Sequence, residues 1–446
     1  MNTPICDFVK EYAEEGFCRL HMPGHKGNNF LGFEHLDITE VEGADVLYKA
    51  QGIIKESMEN AASLFNTAKT LYSTEGSSLS IRAMLYLTAL YAKSENKKPL
   101  ILAGRNAHKA FLSAAALNNI EVEWIYPEDS EGLLSLDITP KKLKSYLENC
   151  KDKPVALYIT SPDYLGNILD IKALSEVCKK HNILLLVDNA HGAYLNFLPE
   201  NCHPIALGAD ICCDSAHKTL PVLTGGGYLH ISKSAPDMLA QQAECAMSLF
   251  ASTSPSYLIM QSLDMANRYM AEGYKELLSD FTVKLNSLKS DLVNAGFVLC
   301  ENEALKITIK AKEYGYEGTE LAELLAENNI ICEFADKDFL VLMLTPENSS
   351  NDLKKLRTAL LSIQKRDAVE ESAPRVKPLK RALSIREALF SVSEEVEVKD
   401  AEGRILANYA VSCPPAIPVA ICGEVIDKSA VKAFEYYKIE KIRVIK

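Results

Sequence analysis

A lysine and an aspartate follow two predicted strands of this chain. Lys218 lies just after the apolar stretch Ala209–Cys213, in SAHKTLPVLTGGGYLH, and Asp188 ends the aliphatic run LLLVD. A lysine amine can hold an aldehyde as an imine, and a carboxylate can keep a pyridine nitrogen protonated so that the ring draws electrons. Pyridoxal 5'-phosphate (PLP) makes both demands. The pair therefore predicts a PLP site, with Lys218 as the attachment point and Asp188 beside the ring nitrogen.

The segment STEGSSLSIRAML (73–85) ends a predicted strand and opens a helix. Gly76 allows a tight turn there, and the amides of Ser77 and Ser78 would lie at the helix N-terminus. Backbone N–H groups and the positive end of the helix dipole favour a phosphate dianion at such a place. Simple capping of the helix by a serine is the alternative. The presence of Lys218 favours the phosphate.

Three histidines are further candidates. His108, in GRNAHKAF, is predicted early in a helix, where it could stack on the pyridine ring or be a surface histidine. His191 follows Asp188 by three residues and either faces the cofactor or satisfies a backbone group, and His217 is the natural acid–base neighbour of the lysine. Ligands of doubly wound sheets collect at the carboxyl ends of the strands. Five candidates fall just past a predicted strand and should meet there: Gly76, His108, Thr160, Asp188 and Lys218.

The N-terminal loop HMPGHKGNNF (21–30) contains two histidines. Without nearby carboxylates two histidines make a weak metal site, so a polar loop is the favoured interpretation and we expect no metal. The chain has 12 cysteines and no CxxC pair, which indicates reduced thiols.

The composition fits a soluble globular protein of two or three domains. The 446 residues include 48 basic and 60 acidic ones, a net charge of −12 that argues against a nucleic-acid partner. No apolar run reaches the ~18 residues of a membrane span, and no signal sequence is apparent. We expect a cytoplasmic protein that acts on a small molecule and has no membrane partner.

Aliphatic strands alternate with helical patterns from about residue 69 to residue 231. This alternation predicts an α/β fold with a mainly parallel, doubly wound sheet. Shorter strands, the first predicted at residues 297–300, and helices follow, as expected for smaller α+β domains. Residues 366–382 are polar and hold two prolines, as expected for a linker, and a proline-rich turn is expected after Cys413. The predicted divisions are an N-terminal segment (1–50), a PLP-binding large domain (51–293), a small α+β domain (294–365) and a C-terminal domain (366–446).

Several segments together resemble the Orn/Lys/Arg decarboxylase family, the bacterial-type branch of fold-type-I PLP enzymes, in its short form without an N-terminal wing domain. They occur in family order: HMPGHKG, STEGSS, GRNAHKA, ITSPDYLGN, VDNAHGAY, DSAHKTLPVLTGGGYLH, STSPSYLIMQSLD and PPAIPVAICGE. The resemblance implies that Lys218 carries PLP as an imine, that Asp188 pairs with the ring nitrogen and that His108 stacks on the ring.

The resemblance also implies a phosphate site and a partner. Ser77, Ser78 and Ser215 match phosphate ligands, and His217 matches a histidine on the substrate or phosphate side. The segment STSPSY (252–257), with Thr253 and Ser254, resembles the stretch by which a second subunit completes the phosphate site. A homodimer with shared active sites is therefore expected.

Three positions depart from the family pattern. Asn189 stands where glutamate is usual, residues 41–47 read VEGADVL where many members have Pro-Gly-Leu-Asp-Asp-Leu, and Gly225–Gly227 replaces bulkier polar residues. We interpret these positions as bordering the substrate, so they leave the substrate's side chain open.

The predicted reaction is decarboxylation of lysine, ornithine or arginine, with Lys218 or His217 returning a proton to Cα. An aminotransferase, an aldolase-type enzyme and a non-catalytic regulatory relative are the alternatives. An aminotransferase would usually offer an arginine in the small domain for the substrate carboxylate. Arg357, Arg366 and Arg375 are available, but none lies in a recognisable motif.

Overall fold

A computed structural model describes residues 1–127, 136–300, 303–375, 377–407, 412–413 and 417–446. Its contacts divide the chain into two compact units. The first unit comprises residues 1–98, 155–158 and 171–277, and the second comprises residues 99–154, 159–170 and 278–446.

The elements are numbered in chain order. The α-helices are α1 (Pro4–Glu14), α2 (Ile53–Leu64), α3 (Gly76–Ser94), α4 (Lys109–Leu117), α5 (Pro140–Asn149), α6 (Ile171–His181), α7 (Ala216–Thr219), α8 (Asp237–Phe250), α9 (Tyr257–Ala271), α10 (Tyr274–Asn294), α11 (Gly318–Glu327), α12 (Ser350–Ser362), α13 (Ile385–Leu389) and α14 (Lys428–Tyr436). The strands are β1 (Lys69–Ser73), β2 (Leu100–Gly104), β3 (Glu121–Ile125), β4 (Ala156–Thr160), β5 (Leu184–Asp188), β6 (Ile211–Asp214), β7 (Gly227–Ile231), β8 (Lys306–Lys310), β9 (Phe334–Ala335), β10 (Phe339–Met343), β11 (Ser393–Glu397), β12 (Ser412–Cys413), β13 (Ile417–Pro418) and β14 (Lys441–Ile445).

The sheet of the first unit places the strands in the order β1-β7-β6-β5-β4. β5 and β6 run parallel, with Asp188 opposite Cys213, so their carboxyl ends lie side by side. β7 runs antiparallel to both β1 and β6. The connection from β6 to β7 holds only the single turn α7, which is too short for the crossover that a parallel neighbour requires. Every residue of β5 and β6 is buried, which explains their continuous aliphatic character.

Among its described residues, the second unit contains the parallel pair β2–β3 and three antiparallel sheets, β8-β10-β9, β11-β14 and β12-β13. A hydrophobic core of this unit joins the small α+β sheet to the C-terminal segment. Phe334 and Val341 pack there with Val398, Phe434 and Val444. This core explains why the residues that follow the predicted linker are folded.

Two local expectations differ from the structure. Residues 297–300, predicted as a strand, form only a single bridge at Leu299, and Phe297 instead stacks on Tyr314 with ring centroids 3.7 Å apart. Helix α8 was not predicted. The proline-rich turn expected after Cys413 falls largely on residues 414–416, outside the described residues. Among the residues that are described, no helix has the length and apolar character needed to cross a membrane.

Candidate active site

The Asp188 carboxylate lies at the end of β5 and is 2% exposed. The Tyr158 hydroxyl donates to its Oδ2 at 3.1 Å, and the Cys213 thiol approaches its Oδ1 at 3.6 Å. The amide of Ala190 donates to Oδ1 at 3.2 Å. All three donors are uncharged. A buried carboxylate held only by neutral donors still needs a cation, and a protonated pyridine nitrogen would supply one.

Lys218 lies in the single turn α7, directly after β6. Its Nζ is 3.1 Å from Nε2 of His191, and the His191 ring is almost completely buried. The structure therefore brings the predicted attachment lysine together with one predicted histidine. The contact places a nitrogen base beside the lysine amine, where it can orient the amine and take part in proton transfer.

Helix α3 begins at Gly76, which has a φ of +65°. No side chain caps its N-terminus, so serine capping, the alternative to a phosphate site, is not what this structure shows. The hydroxyl of Ser215 donates to Oγ of Ser77 at 2.9 Å, and Ser78 occupies the next position of the same turn. The amides of Ser77 and Ser78 at this helix start, beside the hydroxyls of Ser77 and Ser215, form a site suited to a phosphate.

The glycines after Lys218 pack against this helix start. A Cβ on Gly225, whose φ is +100°, would lie 2.9 Å from the carbonyl oxygen of Thr74, and a Cβ on Gly227 would lie 2.8 Å from that of Asp214. The amide of Gly76 also donates to the Gly225 carbonyl at 2.7 Å. The glycine tract is thus required by close backbone packing within the chain, independently of any substrate.

His217 is half-buried and its Nδ1 donates to the carbonyl oxygen of Gly226 at 2.8 Å. Because a carbonyl only accepts, Nδ1 carries the proton and Nε2 is the free acceptor of the neutral ring. Burial lowers the pKa of His217 below its ordinary value, and the nearby Lys218 lowers it further. The ring is therefore neutral near pH 7 and is a better proton acceptor than donor.

His108 and Thr160 belong to the second unit. His108 is the N-cap of α4 rather than a residue within the helix, and its Nδ1 accepts from the amide of Ala110 at 3.1 Å. Thr160 ends β4, and its Oγ1 is buried with no hydrogen-bond partner among the described residues. His108 therefore lies four residues after β2, and Thr160 is the last residue of β4.

Thr253 and Ser254 are exposed in the segment before α9. The amide of the preceding Ser252 donates to Oε1 of Glu75 at 2.7 Å, so this segment lies beside the start of α3 in the same chain.

The two histidines of the N-terminal loop each contact another side chain. Nε2 of His21 is 2.6 Å from the Tyr12 hydroxyl, and Nε2 of His25 is 3.3 Å from the Asp37 carboxylate.

A buried cluster that the sequence did not indicate lies at the end of β6. Nε2 of His203 and Nε2 of His230 lie 3.0 and 3.2 Å from Oδ2 of Asp214. Their residue types could hold a metal ion. However, the amide of Ile205 donates to Nδ1 of His203, so Nε2 carries the proton and donates to Asp214. The spacing 203, 214 and 230 forms no motif, which is why sequence reasoning missed the cluster.

Asn189 also belongs to this cluster. Its amide group donates to Oδ1 of Asp214 at 2.8 Å, and Asn189 is completely buried. A glutamate here would face the Asp214 carboxylate inside the protein, which is strongly unfavourable. The hydrogen bond to Asp214 thus explains why asparagine, and not glutamate, occupies position 189, and the substrate is not needed for this explanation.

The residues present fit PLP on three independent observations. Asp188 is a buried carboxylate whose donors among the described residues are all neutral, the start of α3 has no side-chain cap, and Lys218 lies beside an imidazole. These features suit, in turn, the ring nitrogen, the phosphate and the aldehyde of the cofactor.

Comparison with known proteins agrees with this chemistry. Residues 3–310 match the Orn/Lys/Arg decarboxylase major domain, and residues 365–442 match the C-terminal domain of the same family. The uncharacterized protein YaaO of Bacillus subtilis is 31% identical over 97% of this chain and 93% of its own length. The arginine decarboxylase of the same organism is 29% identical over 95% of this chain and 91% of its own length.

Solved structures confirm the fold. The lysine decarboxylase LdcF of Francisella novicida matches with a TM-score of 0.80 at 17% identity, covering 100% of this chain and 81% of its own. Lysine decarboxylase A from Pseudomonas aeruginosa matches with a TM-score of 0.81 at 16% identity, covering 99% and 80%. The predicted α/β fold of type I is confirmed, as are the predicted family and cofactor. The chain belongs to the Orn/Lys/Arg decarboxylase family and is a PLP-dependent amino-acid decarboxylase.

Proposed function

We propose that this enzyme removes the carboxylate of a basic amino acid as CO2 and releases the corresponding amine. The observation that carries the proposal is the pair of buried groups at adjacent strand ends: Asp188 with three neutral donors, and Lys218 at 3.1 Å from His191. Cadaverine, putrescine or agmatine would be the product, which places the enzyme in polyamine biosynthesis.

Arginine is the first substrate to test. The relatives named arginine decarboxylases are 26–29% identical over nearly the whole chain. The lysine decarboxylases support the fold alone, so lysine and ornithine follow in the order of testing. The net charge of −12 favours a cationic substrate only weakly.

The proposed roles follow from what each side chain can do. Bound PLP supplies the electron sink for the electrons left at Cα when CO2 departs. Asp188 would hold the ring nitrogen in its protonated form, and Lys218 would bind the aldehyde carbon. Ser77, Ser78 and Ser215 would bind the phosphate, with the backbone amides of Ser77 and Ser78 at the start of α3. Burial on all sides limits the access of water to Asp188 and strengthens its ion pair.

The proton returned to Cα would come from Lys218. His217 keeps its proton on Nδ1, bonded to the Gly226 carbonyl, and its lowered pKa disfavours a second proton on Nε2. Lys218 can exchange a proton with His191 across 3.1 Å. His217 would instead accept a hydrogen bond at Nε2 from a donor on the substrate.

For the second unit we propose that His108 stacks on the cofactor ring and that Thr160 offers its unpartnered hydroxyl to the bound cofactor. Arg357 and Arg366, considered for an aminotransferase, form ion pairs with Asp291 and Glu320. These partnerships do not favour the aminotransferase alternative.

The test is a product assay on PLP-loaded enzyme with arginine, lysine, ornithine and neutral amino acids. We expect CO2 and one amine in equal amounts from one basic amino acid. Lys218→Ala should lose activity and should retain no cofactor after borohydride reduction. The matched control is Lys69→Ala, which removes a surface lysine paired with Glu244 and should keep both properties. Keto acid in place of CO2 across the panel would assign the chain to the aminotransferases.

We also propose a cytoplasmic homodimer in which the partner's segment 252–257 completes the phosphate site. Exposed Thr253 and Ser254 support it, as do the strongly exposed Leu20, Phe30 and Leu31 of the N-terminal region. Two inactive variants, Lys218→Ala and Thr253→Ala/Ser254→Ala, should regain activity when mixed and reassembled, because one site of each mixed dimer is intact. No recovery from verified mixed dimers would contradict shared sites.

A further inference from the structure

The second unit contains both the His108 loop and the C-terminal domain. The loop runs from the end of β2 at Gly104 to the start of α4 at Lys109, and residues 278–446 belong to the same unit. Arg105, Asn106 and Ala107 of this loop are each 2% exposed, so its conformation depends on the groups packed against it. Arg105 lies in this loop, three residues before His108.

Arg105 is bound by the C-terminal domain. Its Nη1 donates to the carbonyl oxygen of Pro418 at 2.7 Å, and its Nη2 donates to that of Val419 at 3.1 Å. The carboxylate of Glu424 lies 3.8 Å from the same Nη2. Arg105 is 2% exposed and Glu424 is 3% exposed. A buried guanidinium held by two fixed carbonyls and a carboxylate has little freedom to move.

The other end of α4 is held by the same domain. Arg386 donates to the carbonyl oxygen of Ala116 at 2.7 Å, in the last turn of the helix, where cations are favoured. Arg381 donates to the carbonyl oxygen of Val122, on the strand that follows, at 3.1 Å. Three arginines therefore connect the C-terminal domain with the β2–α4–β3 segment. Arg386 and Arg381 of the C-terminal domain bind backbone carbonyls of α4 and β3, and Arg105 binds carbonyls in the opposite direction.

We propose that the C-terminal domain acts as a brace that fixes the His108 loop, with Arg105 as the positioning residue. Three residues of chain span at most ~10 Å, so fixing Arg105 confines the start of α4. The catalytic consequence rests on the proposed role of His108. The brace gives the C-terminal domain a function in the reaction although none of its residues needs to touch the substrate.

The main variant is Arg105→Lys in the PLP-loaded enzyme. Lysine keeps the charge beside Glu424, so the buried carboxylate stays paired, but it cannot bind two carbonyls as a planar fork. We expect hydrogen exchange of residues 104–112 to rise ~10-fold or more, because local opening becomes easier. We also expect kcat to fall ~10-fold with KM changed less than ~3-fold, since binding groups elsewhere are intact. The visible circular dichroism of bound PLP should weaken.

Two further variants keep the test decisive. Arg386→Gln removes an exposed side chain, so the protein should fold even if Arg105→Lys does not, and exchange near residues 113–118 should rise ~3-fold. Arg404→Gln is the matched control, because Arg404 binds Glu394 and the Ile445 carbonyl within the C-terminal domain. It should change neither exchange of the loop nor kcat.

Unchanged exchange of residues 104–118 in both variants, relative to Arg404→Gln, would overturn the brace. Faster exchange with unchanged kcat and dichroism would overturn the positioning role. The variant His108→Ala separates a failure of the positioning role from a failure of the proposed role of His108. If His108→Ala leaves kcat and the dichroism unchanged, His108 has no part in the site, and hydrogen exchange alone then decides whether the brace exists.

Discussion

Asp188 and Asp214 are two buried aspartates that end neighbouring parallel strands, yet their surroundings differ. Asp188 accepts from one hydroxyl, one thiol and one amide. Asp214 accepts from the imidazoles of His203 and His230, from the Asn189 amide and from the Cys212 thiol. The imidazoles hold the pKa of Asp214 far below its ordinary value, although burial acts in the opposite direction.

The two sets of partners distinguish a carboxylate that stabilises the fold from one that is available to a ligand. Both oxygens of Asp214 are satisfied by the chain itself, so this group needs no ligand and fixes the end of β6, just before Ser215 and Lys218. Among the described residues Asp188 has fewer and weaker donors, all of them neutral, and we propose that a protonated pyridine nitrogen matches its charge. The two aspartates should therefore respond in opposite ways to the loss of their charge.

The largest effect is expected for Asp188→Asn. Without the anion the pyridine nitrogen loses its proton, and activity should fall ~1000-fold, equivalent to about 4 kcal/mol in the transition state. The free energy of unfolding without cofactor should change by less than about 1 kcal/mol, because only neutral donors surround the site. Steady-state kinetics and urea unfolding measure the two quantities.

Asp210→Asn is the matched control for Asp188→Asn. Asp210 is also buried, but it lies just before the start of β6, and its carboxylate accepts from the Leu185 amide. It should keep most of the activity. Near-normal turnover of Asp188→Asn would remove the proposed role of Asp188.

The next largest effect is expected for Asn189→Asp, which sets two carboxyl groups against each other in a buried place. The free energy of unfolding should fall by about 3 kcal/mol, and further as pH rises, because the new carboxyl must keep its proton. The exchange Asn189→Asp/Asp214→Asn restores one amide facing one carboxylate. Urea unfolding should show that the double variant is more stable than the sum of the single changes by at least ~1 kcal/mol. Strict additivity would mean that the two residues are independent.

A smaller loss is expected for Asp214→Asn. The new amide would point N–H groups at the Asn189 amide, and we expect a loss of about 2 kcal/mol in the free energy of unfolding at pH 7. The pKa of Asp214 is lowered in the folded state, so its stabilisation is complete above pH ~4 and declines as pH falls below that value.

The acid side of the stability profile checks this assignment. Burial also lowers the pKa of His230 in the folded protein. Below pH ~6.5 this imidazole takes up a proton in the unfolded chain but not in the folded one, so the wild type loses stability as the pH falls. In Asp214→Asn the additional decline below pH ~4 should be shallower than in the wild type, as followed by urea unfolding at several pH values. An equal slope in both proteins would mean that Asp214 does not carry a lowered pKa.

The contrast between these aspartates also marks where sequence reasoning stops. LLLVD and DICCD look alike, since each is a buried strand that ends in an aspartate. The aliphatic runs sufficed to predict the strands and the α/β class, because burial on both faces leaves a continuous pattern. The donors around each carboxylate come from distant positions, such as Tyr158 and His230, whose meeting depends on strand register. Register between non-adjacent segments cannot be derived from local pattern.

Other differences have the same origin. Helix α8 was not predicted because it follows the polar segment SKSAP (232–236), which is typical of a loop, and contains no recognisable motif. The strand predicted at 297–300 is a bridge because Phe297 is used in packing against Tyr314. The brace formed by Arg105 joins positions more than 300 residues apart, and no spacing rule indicates such a pair. The predicted domain divisions and the roles of the site residues stay predictions.

The smallest effects concern the donors that keep Asp188 in place. Tyr158→Phe removes an O–H donor at 3.1 Å, and Cys213→Ala removes a weak S–H donor at 3.6 Å. Burial raises the pKa of both groups well above its ordinary value, so each keeps its proton throughout the working range of pH. We expect the dissociation constant of PLP to rise about fivefold in Tyr158→Phe, equivalent to ~1 kcal/mol, and less than about twofold in Cys213→Ala.

Two buried residues outside the site serve as controls for these donors. Tyr314→Phe removes a hydroxyl that donates to the Ile363 carbonyl, and Cys178→Ala removes a buried thiol of α6. Neither should change the affinity for PLP, measured by fluorescence titration of the apoenzyme. Because a carboxylate with fewer donors is more basic, Tyr158→Phe should also shift the pH at which bound PLP changes its absorbance, whereas Tyr314→Phe should not. Equal responses of Tyr158→Phe and Tyr314→Phe would show that Asp188 is held by the backbone, and that its exposure to the cofactor, rather than its donors, distinguishes it from Asp214.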